Sequence, residues 1–251
     1  MKHLKDIVAE SFFDDDIIDD PKHLEKTVKE EIKQFLKENY KGSSRCKISR
    51  KPNEDGKYVV DCRDDLSAKD IYLTRLTTDT FVFGEINGTF NVSRTRHLAS
   101  LEGAPKKVRS FYCNDCISLT TLEGAPQEVE GTFSCSWCNS LTNLEGAPQK
   151  CHSFYCYDCK NLTSLEGAPQ EVVEFYCNSC KQLTSFKGAP EKVGGNFRAS
   201  GCAGIKSSEG FPKEIGGDVD VSDSGFRTHN EIWAISKIGG KLKVHWNGNY
   251  L

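Results

Sequence analysis

The block Leu-Glu-Gly-Ala-Pro begins at Leu101, Leu122, Leu144 and Leu165, then decays to Phe186-Lys187-Gly188-Ala189-Pro190 and Ser208-Glu209-Gly210-Phe211-Pro212. Its spacing is 21 or 22 residues throughout. A period this short leaves room for one small unit per repeat, which cannot bury its own apolar face. Successive units must therefore stack, and the stack is the fold. The occasional extra residue falls in the segment before each strand. Val129-Glu130-Gly131-Thr132-Phe133 is one longer than Val108-Arg109-Ser110-Phe111, and a turn absorbs the difference without shifting the strand.

Inside each unit, Phe111-Tyr112-Cys113, Phe133-Ser134-Cys135, Phe154-Tyr155-Cys156 and Phe175-Tyr176-Cys177 alternate at period two, which predicts a short strand with one buried face. The same slot holds Phe90-Asn91-Val92 before them and Phe197-Arg198-Ala199, Val219-Asp220-Val221 and Leu242-Lys243-Val244 after. Two leucines, such as Leu119 and Leu122, follow each strand, and glycine with proline turns the chain back. Eight such strands in parallel, about 4.8 Å apart, make a ladder of roughly 35–40 Å.

The resulting Phe-x-Cys-x-x-Cys-x-x-Leu-x-x-Leu arrangement resembles the core of a leucine-rich repeat, where Asn or Cys takes the place of the second cysteine. More narrowly, the Leu-Glu-Gly-Ala-Pro block resembles a family of repeat proteins carried by bacteriophages and their bacterial hosts. This likeness runs from about Tyr58 to the C-terminus. The resemblance implies an α+β chain. On this likeness residues 58–251 are expected to form a right-handed leucine-rich-repeat-type solenoid with one parallel β-sheet, after a small helical N-terminal region at residues 1–57. It implies little chemistry, but a phage protein of this kind would be an accessory or counter-defence factor engaging a host protein.

The N-terminal region falls outside the repeat. Asp20-Pro21 starts a helix, with aspartate as cap and proline at the first helical position. Leu24, Val28, Ile32 and Phe35-Leu36 recur at helical spacing up to about Tyr40-Lys41-Gly42. An earlier helix is expected from about Lys2 to Phe13. Cys46–Arg50 and Lys57–Cys62 flank Asn53-Glu54-Asp55-Gly56, a hairpin signal. Either the region caps the first layer, or it is an independent partner-binding or dimerising element. The run Asp14-Asp15-Asp16 lacks the glycine and closing glutamate of a calcium loop.

There are 12 cysteines. The opening Met1–Asp6 lacks the apolar stretch of a secretory signal, so the thiols are expected reduced and the chain cytoplasmic, in the host cytoplasm if phage-encoded. The sequons at Asn87, Asn91 and Asn161 then carry no meaning. Four Cys-x-x-Cys pairs stand in register: Cys113/Cys116, Cys135/Cys138, Cys156/Cys159 and Cys177/Cys180. Two such pairs alone would read as a zinc site, since four thiolates close a tetrahedron. Other layers weaken that reading, because they place Val92, Ala199 or Val221 at the first position and Thr95 or Ser224 at the second. Core packing is the reading preferred, with no cofactor; zinc or small-molecule binding is the alternative.

In such a solenoid the middle residue of each strand points onto the concave face. Tyr112, Tyr155, Tyr157 and Tyr176 then form a broken aromatic stripe, with Trp137 near its edge and Arg198 toward its C-terminal side. Tyrosine, tryptophan and arginine are the residue types that dominate protein interfaces, although tyrosine is also simply a good strand residue. The formal net charge is -3 and no basic stripe accompanies the rings, which argues against nucleic acid. No apolar run is long enough to span a membrane. No phosphate loop, Gly-x-Ser-x-Gly elbow or His-Glu-x-x-His occurs, so no enzyme is expected. The expectation is a non-catalytic protein-binding protein. Self-assembly into a homo-oligomer is the structural alternative.

Overall fold

The computed structural model describes residues 21–68, 72–225, 232 and 235–244. The helix expected over Lys2–Phe13, the acidic run and the Asp20 cap lie outside them. The chain starts with α1 (Pro21–Asn39), β1 (Tyr40–Lys41), β2 (Cys46–Ile48), β3 (Tyr58–Cys62) and β4 (Leu66–Ala68). Repeat-bearing strands follow: β5 (Phe81–Asn91), β6 (Lys107–Tyr112), β7 (Glu128–Val129), β8 (Thr132–Ser134), β9 (Ser153–Tyr155), β10 (Glu171–Val172) and β11 (Glu174–Tyr176). The last are β12 (Lys192–Val193), β13 (Phe197–Arg198), β14 (Glu214–Ile215), β15 (Val219–Asp220), β16 (Lys237–Ile238) and β17 (Leu242–Lys243).

The architecture is a parallel β-solenoid with one helix near its N-terminal end among the described residues. Its main ladder runs β5-β6-β8-β9-β11-β13-β15-β17, each strand parallel to the next and in register, as in Phe111↔Phe133↔Phe154↔Phe175. The inward phenylalanines form a spine. Phe111, Phe133, Phe154, Phe175 and Phe197 are fully buried, with consecutive centroids 5.4, 5.4, 5.6 and 5.8 Å apart and rings within 17° of parallel. The paired leucines, among them Leu119/Leu122 and Leu162/Leu165, are equally dry.

A single sheet was expected, and the fold corrects that. A second parallel ladder, β10-β12-β14-β16, forms a separate four-stranded sheet. Its line is continued by the first halves of β5 and β6 and by β7, where Ile86, Val108 and Val129 align. The buried slot of Val108, Val129, Val172 and Val193 is thus a strand position, and Cys151 fills it in the layer where only Lys150 bridges to Glu128. Two-residue strands are too short to display a period. The exposed neighbours in this ladder alternate in charge. Glu85, Lys107, Glu128 and Lys150 lie side by side, as do Glu171, Lys192, Glu214 and Lys237. Lys107–Glu128 at 3.6 Å and Lys192–Glu214 at 3.8 Å each contribute under about 1 kcal/mol. A chain that skipped one layer while stacking would set like charge against like.

The LEGAP glycines turn the chain where no side chain fits. Gly124 has φ +85°, and a Cβ there would lie 2.5 Å from the backbone N of Glu102 in the layer below. Each layer's glycine therefore sets how closely the next corner can nest.

The N-terminal residues are built as predicted in part. Val28, Ile32 and Leu36 of α1 are buried in the same core as the solenoid, and Phe35 meets Phe81 edge-on at 5.6 Å. Leu24, at the start of the apolar stripe, stays 42% exposed. Tyr40 is fully buried, packs on Phe83 and Phe90, and donates its hydroxyl to the Leu76 carbonyl at 2.8 Å. β2 and β3 form the expected antiparallel hairpin, and β3 also pairs parallel with β5. In the turn, the Asn53 side-chain oxygen accepts the N–H groups of Asp55 and Lys57. The hairpin brings a second correction. Cys46 and Cys62 stand directly opposite each other and form a disulfide, against the expectation that every cysteine is reduced. Spacing alone did not reveal it, because the pair is made by strand register.

Candidate functional site

The outward column of the main ladder reads Asn91, Tyr112, Ser134, Tyr155, Tyr176, Arg198, Asp220 and Lys243, in register from layer to layer. The six residues singled out in the sequence separate into two groups and one outlier. Tyr155 and Tyr176 stack with centroids 4.8 Å apart at 14°, and the Arg198 guanidinium lies over Tyr176 at 4.9 Å. Stacked rings and a cation over a ring face are worth roughly 0.5–1.5 kcal/mol each. Trp137 meets Tyr157 edge-on, with centroids 4.7 Å apart at 82°. Tyr112 makes no ring contact with either group among the described residues. The small Ser134 side chain stands between it and Tyr155.

Glu174 organises the tyrosine pair, and the sequence reading missed it. Its carboxylate accepts the Tyr155 hydroxyl at 2.6 Å, the Tyr176 hydroxyl at 3.0 Å and the Ser153 hydroxyl at 3.3 Å. The Tyr155 hydroxyl bond holds the Glu174 carboxyl below its ordinary range. Burial, then the bond to Glu174, pushes the Tyr155 phenol up to about 12, and burial raises Tyr176 as well. At neutral pH the cluster is one carboxylate and two intact phenols whose orientations are fixed. Period-two spacing holds the clue, because Glu174 is two residues before Tyr176 and must share its face. The three preceding layers place Ser110, Thr132 and Ser153 there.

Two positions further along the strand of Tyr112, the Asn114 side chain ties its layer to the next. Its side-chain oxygen accepts the Ser134 hydroxyl at 2.6 Å and the Ser136 N–H at 2.9 Å. The next residue in each layer is left-handed: φ is 67° at Arg94, 57° at Asp115, 60° at Trp137, 56° at Asp158 and 61° at Ser179. On the N-terminal side of Trp137 a cavity of 620 Å³ opens, lined among others by Asn91, Ser93, Arg94, Asn114, Asp115 and Trp137.

The cysteines form two inward columns with different jobs. Cys113, Cys135, Cys156 and Cys177 are fully buried in the strand column. The second column donates thiol hydrogen bonds across layers. Cys138 Sγ reaches the Cys113 carbonyl at 3.0 Å, Cys159 that of Cys135 at 3.3 Å, and Cys180 that of Cys156 at 3.1 Å. Thr95 and Ser224 use hydroxyls on the carbonyls of Val92 and Val221 at 2.7 Å each. Burial pushes the Cys113 thiol up to about 11 and the Cys135 and Cys156 thiols well above their ordinary value. A cysteine ligates zinc as its thiolate, which this burial disfavours. Among the described residues no three His, Cys, Asp or Glu side chains are grouped so as to hold a metal ion, Cys116 and the other seven Cys-x-x-Cys members included. No described helix is long and apolar enough to cross a membrane. No protein-family model, curated protein or solved structure matches the chain.

Proposed function

We propose that this chain is a non-catalytic recognition protein of leucine-rich-repeat type, with a right-handed coil, that binds another protein through the outward face of its main sheet. One observation carries the reading: Tyr155, Tyr176 and Arg198 form a continuous, half-exposed stack whose hydroxyl ends are held by Glu174. Such a surface loses little side-chain freedom when it is covered, which favours binding. Its residue types are those that bury large area and still satisfy a polar end. The likeness of the Leu-Glu-Gly-Ala-Pro block to repeat proteins of bacteriophages and bacteria points to a host protein as partner, with inhibition of a defence component as the consequence. Fold alone fixes no function, so the partner must be found by experiment.

The test is affinity capture from bacterial lysate, followed by calorimetry with each captured protein in pure form. Tyr155→Ala combined with Tyr176→Ala should weaken a true partner by about a hundredfold or more. The double variant should lose only about 2 kcal/mol, a fall of a few degrees in the thermal midpoint, and stay folded. A partner held equally well by the double variant would place the interface elsewhere and sink the reading.

A further inference from the structure

The cavity beside Trp137 is separate from the tyrosine stack and is built differently. Two of its lining residues carry opposite charge on successive layers, Arg94 and Asp115, and neither side chain has an ion pair or hydrogen bond among the described residues. Its two amides are oriented by their own bonds. The Asn91 side-chain oxygen accepts the Ser93 N–H at 2.9 Å, while that of Asn114 is taken by the Ser134 hydroxyl and the Ser136 N–H. Both NH2 groups are left as donors. The Ser93 hydroxyl oxygen accepts the Asn114 N–H at 3.1 Å and keeps its own proton to give.

Trp137 and Arg94, which both reach this cavity, are the two large side chains in their column. The remaining layers fill the left-handed slot with Asp115, Asp158, Ser179, Gly201 or Asp223, small residues that carry less strain on this backbone. A bulky ring at φ 60° costs conformational energy, and packing against Tyr157 holds it at the cavity's edge, 40% exposed. The ring is thus placed there at the backbone's expense, beside two charged side chains and two amide NH2 groups with no ion pair or hydrogen bond among the described residues.

The chemistry of the lining narrows the ligand. An anion would gain Arg94 but face Asp115, and a cation would meet the reverse. An apolar molecule would strip water from two charges and two amides without replacing it. A sugar ring answers every group, since its hydroxyls both donate and accept and its C–H face can lie on indole. The volume falls in the range of about 300–1,000 Å³ typical of small-ligand sites. We infer that this cavity is a binding site for a neutral mono- or disaccharide, with Trp137 as the platform and Asp115, Arg94, Asn91 and Asn114 as the hydroxyl partners.

The experiment is saturation-transfer NMR on the full chain with glucose, galactose, mannose, N-acetylglucosamine, maltose and lactose, followed by titration of any that bind. It needs no protein partner, so its outcome is independent of the interface proposed above. At least one of these sugars should bind. Trp137→Asn, which suits the left-handed backbone, and Asp115→Asn should each weaken that sugar at least about tenfold. Circular dichroism and the thermal midpoint should match wild type. Silence from all six at about 20 mM would overturn the inference. So would binding that survives Trp137→Asn. Tighter binding of glucose 6-phosphate than of glucose would instead make Arg94 the centre of an anion site, and would overturn it too.

Discussion

Phe154 and Tyr155 are chain neighbours on one strand, yet they answer to different demands. Phe154 is sealed between Phe133 and Phe175, and every layer from Phe90 to Phe197 places phenylalanine in that column. Tyr155 is half-buried, and its column changes from Asn91 through Ser134 to Arg198 and Lys243. Stacking explains the first pattern. A ring of another size would open a gap against two neighbours at once, so the inner column repeats. The outer column touches no second layer of core, and the fold leaves it free to vary. What varies there is where recognition can be written.

Truncating each neighbour in turn should separate the two columns by the largest margin. Phe154→Ala should destabilise by about 3–5 kcal/mol, because it removes a fully buried ring and leaves a cavity between two others. Tyr155→Ala should cost about 1 kcal/mol, the scale of one hydrogen bond at a half-exposed site. Denaturant unfolding measures both. Equal costs would mean that the outer stack is structural and the division between columns false.

The cysteines give the same contrast in another form. The disulfide joins two strands outside the repeat, whereas ten thiols are buried as free residues. Replacing Cys46 and Cys62 together by Ser should cost about 3 kcal/mol, the scale of a loop of this size. Thiol labelling checks the assignment directly. The native protein should label at no described cysteine, and gentle reduction should expose only Cys46 and Cys62. Labelling of repeat cysteines without unfolding would contradict their burial.

Much of this was legible because repetition multiplies a weak signal. One Phe-x-Cys triplet says little, but eight aligned slots gave each main-ladder strand, the buried face and the outward column. The helix over Val28 to Leu36 and the hairpin around Asn53 also followed from local pattern. The second ladder did not, since strands of two residues carry no period and Val108 or Val172 reads equally well as a lone core residue. Nor did the Cys46–Cys62 bond or the Glu174 clamp. Each depends on which residues face each other across strands or layers, and register is a tertiary fact. The pair Arg94 and Asp115, unpaired among the described residues, was hidden for the same reason.

Within the thiol ladder, the two columns should part company. Cys156→Val should cost less than about 1.5 kcal/mol, because Val92 and Val221 already occupy that slot. Cys159→Val should cost more, by about 1 kcal/mol, since it strips the Cys135 carbonyl of the thiol that reaches it at 3.3 Å. Thermal unfolding of the pair decides the matter. Identical midpoints would reduce the cross-layer thiol bonds to mere proximity.

The smallest expected effect sits on the outer face. Tyr155 titrates at about 12 because of burial first and the Glu174 bond second, so Glu174→Gln should lower that value only part of the way toward the ordinary phenol near 10. The sign follows from linkage. A folded pKa raised above the unfolded one contributes stability that is whole below about pH 10 and is lost as pH rises through about 12. Glu174 acts at the opposite end. Its lowered carboxyl contributes above the ordinary range near 4.3 and ceases to as pH falls through its folded value. Alkaline ultraviolet titration of wild type and Glu174→Gln reads the first effect. An unshifted Tyr155 would mean that burial alone holds the phenol. The ring orientation would then have to come from stacking on Tyr176 instead of from the carboxylate.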